Sequence, residues 1–169
     1  MIDYRDATPG DGAVLGGLAR ATFIETFGSL YSLANLTAFL AGCSDDAYTA
    51  ELADPDIAVR FALAGAIPIG FCKVGSLKLP ADTNGRRAVE LRQLYIHKPW
   101  QGTGSAAVLT EWALALARKR GAQDMWLSVF TQNPRARRFY ARYGFVEIAP
   151  YHFMVGDQAD EDILCRATL

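Results

Sequence analysis

The sequence of 169 residues is poor in cysteine and histidine, with three and two, and neither sign of charge is in excess. The cysteines, Cys43, Cys72 and Cys165, are far apart, so they match no zinc-ligand spacing and predict no disulfide framework. This cysteine usage is typical of a reducing compartment, and we expect a cytoplasmic protein. Lys and Arg number 17 against 18 Asp and Glu. That balance argues against a nucleic-acid-binding protein held by bulk charge.

The sequence also lacks a long apolar run. Its longest weakly charged stretch, residues 57–70, contains Arg60 and Pro68 and is shorter than the roughly 20 residues that cross a membrane. Charge appears from Asp3 onward, so no apolar signal-peptide core is expected at the N-terminus. We therefore expect no membrane partner. Repeats, low-complexity tracts and linkers are absent as well, and residues 1–169 are expected to form a single domain.

What the sequence does have is a clear succession of apolar periodicities. Alternating or short apolar runs predict strands at residues 2–7, 57–64, 67–74, 89–97, 125–130, 145–155 and 162–168. Spacings of three and four predict helices from Thr8 through Phe27 and over residues 33–40, 45–52, 104–120 and 133–144. The order β-α-α-α-β-β-β-α-β-α-β-β indicates an α/β fold, a mixed sheet with helices on both faces.

The most informative segment connects the predicted strand 89–97 to the long helix and reads Gln101-Gly102-Thr103-Gly104-Ser105-Ala106. Glycines allow the backbone to approach a ligand closely, and a helix N-terminus presents unpaired N–H groups with partial positive charge. Together these features favour a cradle for a pyrophosphate. A glycine-bearing loop without a ligand explains the same residues, because short glycine motifs have low specificity.

Two other phosphate-binding motifs fit this loop less well. A Walker A loop needs Lys followed by Ser or Thr after its glycines, and no such pair follows here. Gly102, Gly104 and Ala107 match the dinucleotide fingerprint G-x-G-x-x-A, but that fold needs an acid at the end of the next strand, where Thr131 and Gln132 stand. Too little chain follows the loop for the rest of a doubly wound sheet.

A second informative segment follows the predicted strand 125–130 and reads Asn133-Pro134-x-Ala136-x-x-Phe139-Tyr140-x-x-x-Gly144-Phe145. Asn followed by Pro is typical of a helix N-cap with Pro at the first helical position, which explains Asn133 without a ligand. Phe139 and Tyr143 are four residues apart and are expected to pack on the sheet. Tyr140 is rotated by about 100° from Phe139, so we expect only one of these two rings to enter a given pocket.

The combination of strand, Q-x-x-G-x-A, helix, strand, N-x-x-A-x-x-F-Y-x-x-x-G-F and strand resembles the GNAT superfamily of acetyl-CoA-dependent N-acetyltransferases over essentially the whole chain. Within it, the sequence is most similar to the PaiA-type polyamine (spermidine/spermine) acetyltransferases. The residues that carry this second likeness are Phe23-Ile24-Glu25-Thr26-Phe27, Tyr31, Gly70, Gly156-Asp157, Asp162-Ile163 and the terminal Leu169. The resemblance implies the GNAT fold, a mostly antiparallel mixed sheet with a V-shaped splay between two central parallel strands.

The resemblance also implies a role for each matching position, with acetyl-CoA as cosubstrate and no metal. The cofactor-binding residues would be Leu94, Tyr95 and Ile96 beside the pantetheine, Gln101, Gly102, Thr103, Gly104, Ser105 and Ala106 around the pyrophosphate, and Asn133. Tyr140 would donate a proton to the departing thiolate, and Glu90 would act as the general base, directly or through water. Glu25 and Tyr31 would contact the acceptor.

The sequence departs from the family's pattern in the glycine loop. Thr103 stands where Lys or Arg is frequent, and Ala106 stands where Gly is frequent. Neither change removes a backbone N–H, so the cradle is expected to persist. Arg135, Arg137 and Arg138 are candidates for the missing positive charge, although a solvated helix face explains them equally.

These observations favour transfer of acetyl to a primary amine by direct attack in a ternary complex. No cysteine is placed like a nucleophile partnered by His97 or His152, which disfavours a covalent acetyl-enzyme. Two alternatives stay open: an acetyltransferase for a protein or peptide amine or another small amine, and a regulatory module that binds acetyl-CoA without turnover. The expected partners are acetyl-CoA and a small-molecule amine, with a homodimer among the expected assemblies.

A linear polyamine such as spermidine is the expected acceptor. Acidic residues occur in the segments that the resemblance assigns to the acceptor side: Glu25, Asp45, Asp46, Glu51 and Glu90. A groove lined by carboxylates would attract a substrate with several positive charges and hold its distant ammonium groups. Capping and solvation of a surface helix explain the three acids between residues 45 and 51 without a substrate.

Overall fold

A computed structural model describes all 169 residues of the protein. The seven strands are β1 (Ile2–Asp6), β2 (Ala58–Ala64), β3 (Ile67–Ser76), β4 (Ala88–Ile96), β5 (Asp124–Phe130), β6 (Val146–Val155) and β7 (Gln158–Thr168). The five helices are α1 (Gly12–Phe27), α2 (Leu33–Ala41), α3 (Asp45–Ala53), α4 (Ser105–Lys119) and α5 (Pro134–Arg142). All twelve predicted elements are present in the predicted order. The largest differences are of four residues: β7 begins before the predicted position 162, and α1 begins at Gly12 rather than at Thr8, because residues 9–11 form a 3₁₀ turn.

Side-chain caps begin several of the helices where the sequence predicts them. The Asp11 carboxylate accepts the Thr8 amide and the Thr8 hydroxyl, both at 2.8 Å, just before α1. Ser32 and Ser44 accept amides of the first turns of α2 and α3. Asn133 does the same for α5. Because each cap satisfies an otherwise unpaired N–H, these residues fix where the helices start.

The strands form one sheet in the order β1-β2-β3-β4-β5-β7-β6. All neighbouring pairs are antiparallel except β4 and β5, which are parallel. Helices cover both faces of the sheet. Leu109 and Ala113 of α4 pack in the core on one face, whereas Leu15 and Leu18 of α1 and Tyr48 of α3 pack on the other. The predicted α/β fold is therefore confirmed.

The parallel strands β4 and β5 form the predicted V. They pair only through Ala88–Glu90 and Asp124–Trp126, although both strands continue beyond this point. At the closed end, the Arg86 guanidinium binds both carboxylate oxygens of the fully buried Asp124, at 2.6 and 3.0 Å. A bidentate, charge-assisted pair of this kind fixes the relative position of the two groups. The strands therefore begin together and part after Glu90.

A bulge in β4 accounts for the opening. The consecutive β3 residues Val74 and Lys73 pair with Leu91 and Gln93, so Arg92 has no partner on β3. A bulge of this kind bends its strand and increases the local twist. Because the bulge follows the last residue that pairs with β5, it turns the rest of β4 away from β5. The edge of β4 that would face β5 is left without a partner strand.

No helix combines the length and the apolar character that crossing a membrane requires.

Candidate active site

A cavity of about 770 Å³ lies where β4 and β5 part. Its volume falls within the roughly 300–1,000 Å³ of pockets that bind small molecules and cofactors. The lining comes from β4, the glycine loop, the N-terminal part of α4, the end of β5, α5 and β7, together with α1 and the segment that follows it. The cavity thus joins the two faces of the sheet through the gap between the strands.

The glycine loop forms one part of the wall. Gly102 and Gly104 have φ angles of +86° and +90°, in the left-handed region that favours glycine. The backbone amides of residues 102–106 find no main-chain acceptor, and Ala107 is the first residue of this segment whose amide does. Five consecutive N–H groups at the start of α4 are therefore available to an anion. This arrangement fits the pyrophosphate cradle that the sequence predicts.

The side chains of the loop contribute unequally. Gly102, Gly104 and Ala106 line the cavity. Thr103 instead donates to the Trp100 carbonyl at 2.8 Å, and its hydroxyl lies 2.9 Å from that of Ser105, which is buried. These two hydroxyls hold the shape of the loop. Their contribution to a bound anion comes from their amides.

The β4 residues predicted beside the pantetheine line the same cavity. Leu94, Tyr95 and Ile96 pair with β3 on one side and face the gap to β5 on the other. Gln101 extends this wall: its side-chain amide donates to the Ile96 carbonyl at 3.0 Å and its oxygen accepts from Arg135. An extended ligand lying in the gap would therefore meet unpaired main-chain groups of β4.

Positive charge surrounds the loop and α5. Four basic residues line the cavity here: Lys98, Arg135, Arg138 and Arg142. The predicted candidate Arg137 has a different role, because its guanidinium pairs with Glu147 at 2.8 Å and donates to the Thr131 carbonyl. Clustered cations beside free amides attract a polyanion.

Helix α5 brings Asn133 and Tyr140 to the cavity. Asn133 caps the helix by accepting the Ala136 amide at 3.1 Å, which leaves its side-chain NH₂ for a ligand. Tyr140 packs edge-on against Phe139 and Phe145, with ring centroids 5.4 and 5.7 Å apart. Both Phe139 and Tyr140 line the cavity, so the expectation that only one of them enters it was wrong. The cavity is wide enough to span neighbouring positions of one helix.

The Tyr140 hydroxyl is suited to donate a proton. Burial raises its pKa far above the ordinary value for tyrosine, and the charges of Cys72, Tyr95 and Cys165 act in the same direction. The phenol therefore stays protonated at neutral pH. No hydrogen bond within the protein acts on it, so its proton is available to a group in the cavity.

The wall on the α1 side is aromatic and acidic. Its aromatic residues are Phe23, Phe27, Tyr31, Phe130 and Phe153. Two carboxylates, Asp160 and Asp162 of β7, face the cavity among these rings, and each is only 7% exposed. Sequence reasoning did not single out Asp160, and it used Asp162 only as part of a family likeness. Their spacing of two on a strand, which places both on one face, is the signal that could have revealed the pair.

The two carboxylates differ in their partners. Asp160 accepts the Tyr31 hydroxyl on one oxygen and the Gln158 amide on the other, at 2.9 Å. The Ser128 hydroxyl near Asp162 lowers the pKa of that carboxyl, but burial and the Asp160 charge together raise it to about 6. Tyr31, predicted to contact the acceptor, lines the cavity itself and donates its hydroxyl hydrogen to Asp160. Burial and that carboxylate raise the pKa of the Tyr31 phenol as well.

Glu90 is not among the residues that line the cavity. It lies at the closed end of the V, and one of its carboxylate oxygens accepts the backbone amides of Lys78 and Leu79 at 2.8 and 3.1 Å. Its carboxylate therefore anchors the connection between β3 and β4. The structure separates Glu90 from Tyr140 and the glycine loop, with which the sequence had grouped it.

Glu25 also lies outside the cavity lining. Its carboxylate is 2.9 Å from Nδ1 of His97 and accepts the Lys98 amide at 3.2 Å, which joins α1 to the end of β4. The acids of α3 have structural partners too.

Asp45 pairs with Arg20, and Glu51 pairs with the buried Lys73. Neither these two acids nor Asp46 lines the cavity. The acidic residues that line the cavity therefore come from β7, and not from α1 and α3 as the sequence predicts. No group of three or more His, Cys, Asp or Glu side chains is arranged to hold a metal ion.

Comparison with known proteins agrees with this geometry. Residues 27–145 match the sequence profile of the Acetyltransferase (GNAT) family. An uncharacterized N-acetyltransferase in the pepI 3′ region of Lactobacillus delbrueckii subsp. lactis is 28% identical over 156 residues, which span 90% of this chain and 88% of that protein. An uncharacterized N-acetyltransferase of Mycobacterium tuberculosis is 42% identical over 76 residues, 45% of this chain and 49% of the relative.

Two solved structures share the fold over nearly the whole chain. The PaiA N-acetyltransferase from Thermoplasma acidophilum, in complex with coenzyme A, superposes with a TM-score of 0.77 at 21% identity and covers 100% of this chain and 99% of its own. The yncA protein of Salmonella typhimurium, solved with acetyl-CoA, gives a TM-score of 0.69 at 19% identity, with 99% and 94% covered. The chain therefore belongs to the GNAT family and is an N-acetyltransferase with acetyl-CoA as its cosubstrate.

Proposed function

We propose that this acetyltransferase acts on a primary amine that carries a second positive charge, such as a linear polyamine like spermidine. The observation that carries this proposal is the pair of carboxylates, Asp160 and Asp162, on the α1 side of the cavity. No basic residue of the cavity lies on β7 beside them: the cationic residues are Lys98, before the glycine loop, three arginines on α5, and Arg92 on β4. The cavity is thus most basic near the glycine loop and α5, and acidic at β7.

The acidic wall fits an organic cation better than a neutral or acidic acceptor. Buried carboxylates destabilise their own charge unless a cation or donor offsets it. An ammonium group supplies both, and the rings of Phe23, Phe27 and Tyr31 add faces that attract cations. An acceptor with a carboxylate near its amine, such as a free amino acid, would be repelled.

The basic wall suits acetyl-CoA, which carries several negative charges on its phosphates. We expect the free amides of residues 102–106 to hold the pyrophosphate, with Arg135, Arg138 and Lys98 adding positive charge. The pantetheine would lie along the unpaired edge of β4 at Leu94–Ile96. The free side-chain NH₂ of Asn133 would bond the same arm. Thr103 stands where Lys or Arg is frequent in the family, and the arginines of α5 would supply that positive charge instead.

The reaction is a direct transfer in a ternary complex. The amine nitrogen attacks the thioester carbonyl carbon, the C–N bond forms, and the C–S bond breaks. Tyr140 donates its hydroxyl proton to the departing sulfur, because the buried phenol is protonated and has no competing partner. A backbone N–H on the free edge of β4 would stabilise the oxyanion. Each reactant enters the gap from its own face of the sheet.

We further propose that residues 1–169 act as one domain. The support is the continuity of the sheet, whose outer strand β1 comes from the N-terminus and whose strand β7 lies between β5 and β6. The acceptor wall combines α1 with β7. Neither half of the chain therefore builds the cavity alone.

A thiol-release assay over a panel of amines tests the proposed acceptor. The panel contains spermidine, a neutral-tailed monoamine of similar length, an amino acid and a peptide with a free α-amine. We expect the highest kcat/KM for spermidine and a steep rise of its KM with salt, since exposed approach paths are screened within about 8–10 Å. Equal rates for spermidine and the monoamine, without salt dependence, would exclude the polyamine.

Two variants assign the recognition to the acidic wall. Asp160→Asn is expected to raise KM for spermidine without changing acetyl-CoA affinity. Glu25→Gln removes an equal charge outside the cavity lining and is expected to leave that KM unchanged. A raised KM in Glu25→Gln together with an unchanged KM in Asp160→Asn would instead assign acceptor recognition to α1, as the sequence predicts.

A further inference from the structure

The carboxylates of Asp160 and Asp162 lie in one cavity wall but in different chemical environments. They are two residues apart on β7, share a face of the sheet and are equally buried at 7% exposure. Asp160 is held by two donors, the Tyr31 hydroxyl and the Gln158 side-chain amide. Each carboxylate oxygen of Asp160 therefore accepts a hydrogen bond from the protein.

Asp162 lacks comparable support. Its donor is the Ser128 hydroxyl, and neither a cation nor a backbone amide acts on its carboxylate. Across the sheet its neighbours in register are Phe130 of β5 and Tyr151 of β6, which present rings rather than charges.

Arg92 of β4 lines the same cavity as Asp162 but is not among the groups that shift the pKa of Asp162. The titratable groups that interact with Asp162 or pair with it in register are all acids. They are Asp160 on its own strand, Tyr31 after α1, Tyr95 on β4, Tyr151 on β6 and Cys165 further along β7. From α1 the residues that line the cavity are Phe23, Thr26 and Phe27, which carry no charge. Burial and the neighbouring Asp160 together raise the pKa of Asp162 to about 6. A carboxylate with this pKa is ionised at neutral pH and accepts a proton readily.

Glu90 differs from Asp162 in its hydrogen-bond partners and in its position relative to the cavity. Its carboxylate accepts two backbone amides and is absent from the cavity lining. Those amides would be left without a partner if the carboxylate turned toward a substrate. The group that the sequence offers as the base is therefore committed to the chain connection between β3 and β4.

We propose that Asp162, and not Glu90, is the group that removes the proton from the attacking ammonium. This inference rests on the proposed function, because it needs an amine in the acidic wall of the cavity. Asp160 lies beside it and holds positive charge of the acceptor.

The proton balance of the step is complete within the cavity. Asp162 takes one proton from R–NH₃⁺, which leaves a lone pair on nitrogen for the attack on the thioester carbon. When the C–S bond breaks, Tyr140 gives its proton to sulfur. The remaining extra proton on the amide nitrogen returns to the Tyr140 oxygen. Asp162 then releases its proton to solvent, so the net products are R–NH–acetyl, CoA thiol and one proton.

Rates as a function of pH, measured for Asp162→Asn, test the proposal. The assay follows thiol release with a strongly basic amine, spermidine, and with a weakly basic amine, 2,2,2-trifluoroethylamine, which is largely unprotonated at pH 7. We expect Asp162→Asn to lower kcat/KM for spermidine by about 10²–10⁴-fold at pH 7, as is typical of a lost general base. The loss should shrink as pH rises and should be small with the weakly basic amine.

Two control variants test whether the change in pH profile is specific to Asp162. Asp160→Asn is nearly isosteric, equally buried and on the same strand, and it is expected to raise KM while preserving the fall in kcat/KM at low pH. Glu90→Gln keeps an acceptor for the two amides and is expected to preserve the wild-type pH profile. The proposal would be overturned if Asp162→Asn lowered kcat/KM by the same factor at every pH. It would also be overturned if kcat/KM of Glu90→Gln no longer fell at acid pH.

If Asp162→Asn does not fold, the pH dependence of kcat/KM of the wild-type enzyme tests the proposal independently. The logarithm of kcat/KM for spermidine should fall with decreasing pH below about 6, the pKa of Asp162. A profile that stays flat down to pH 5 would also overturn the proposal. Failure of the proposed function is a separate result, because the wild type would then release thiol at equal rates with spermidine and the neutral-tailed monoamine, whatever its pH profile.

Discussion

The burial of the Asp162 carboxylate predicts that its removal stabilises the protein while it lowers activity. Burial and the Asp160 charge raise the pKa of Asp162 from 3.8 to about 6. One pKa unit corresponds to about 1.4 kcal/mol, so the rise corresponds to an upper value of about 3 kcal/mol. The side chain is 7% exposed, and solvent therefore screens little of this penalty. We expect Asp162→Asn to be more stable than the wild type by about 1–3 kcal/mol at pH 8.

The sign of this effect follows from the two protonation states. Below about pH 4 the carboxyl is neutral in both the folded and the unfolded protein, so Asn and Asp should give similar stability. Between about pH 4 and 6 the unfolded chain ionises first, and the wild type loses stability relative to the variant. Above about pH 6 the difference should reach a plateau. Other carboxylates are common to both proteins and cancel in the comparison.

Urea unfolding at pH 4, 6 and 8 measures the difference directly. Asp160→Asn provides the matched comparison, because Asp160 has two donors and its replacement weakens them. We expect no gain in stability from that variant. A wild type that is more stable than Asp162→Asn at pH 8 would refute the reasoning, since it would show that the folded protein stabilises the Asp162 anion.

Three further predictions concern the acetyl-CoA side and the base. Tyr140→Phe should lower kcat by about 10²–10⁴-fold and leave the acetyl-CoA dissociation constant from calorimetry unchanged; an activity within twofold of wild type would mean that another group protonates the thiolate. Gly104→Glu should abolish acetyl-CoA binding in calorimetry, whereas Gly85→Glu, at a remote glycine with φ of +76° and no atom near its Cβ position, should not; equal loss in both would point to backbone strain. Ser128→Ala removes the hydroxyl that lowers the pKa of Asp162, so the fall in kcat/KM at acid pH should move to higher pH. An unchanged pH profile would mean that this fall does not report the titration of Asp162.

The sequence predicts those parts of the site that are local in the chain. The pyrophosphate loop, the cap at Asn133 and the position of Tyr140 each depend on a short motif between two regular elements. The caps and apolar periods that define these elements act over a few residues. The structure therefore places the glycine loop and Tyr140 around one cavity, as the motifs indicate.

The acidic wall of the cavity could not be predicted in this way. It depends on the contact between Tyr31 and Asp160, which are 129 residues apart, and on the insertion of β7 between β5 and β6. The interpretation of Glu90 failed to anticipate its partners for a related reason. A carboxylate on a strand faces one of two sides, and the backbone amides of Lys78 and Leu79 that receive it belong to a loop with no sequence signal.

The opening between β4 and β5 was predicted in part. The parallel pair and its splay follow from the family resemblance. The bulge at Arg92 and the Arg86–Asp124 ion pair, which determine where the strands part, become visible only when the register is known.

The most direct test of the account is the initial-rate pattern of thiol release when acetyl-CoA and spermidine are varied together. Direct transfer in one cavity requires both reactants to be bound at once. Double-reciprocal plots should therefore intersect, and the enzyme incubated with acetyl-CoA alone should keep its unmodified mass. Parallel lines, together with an acetylated enzyme in intact-mass spectra, would contradict the ternary complex and the role of Tyr140 within it.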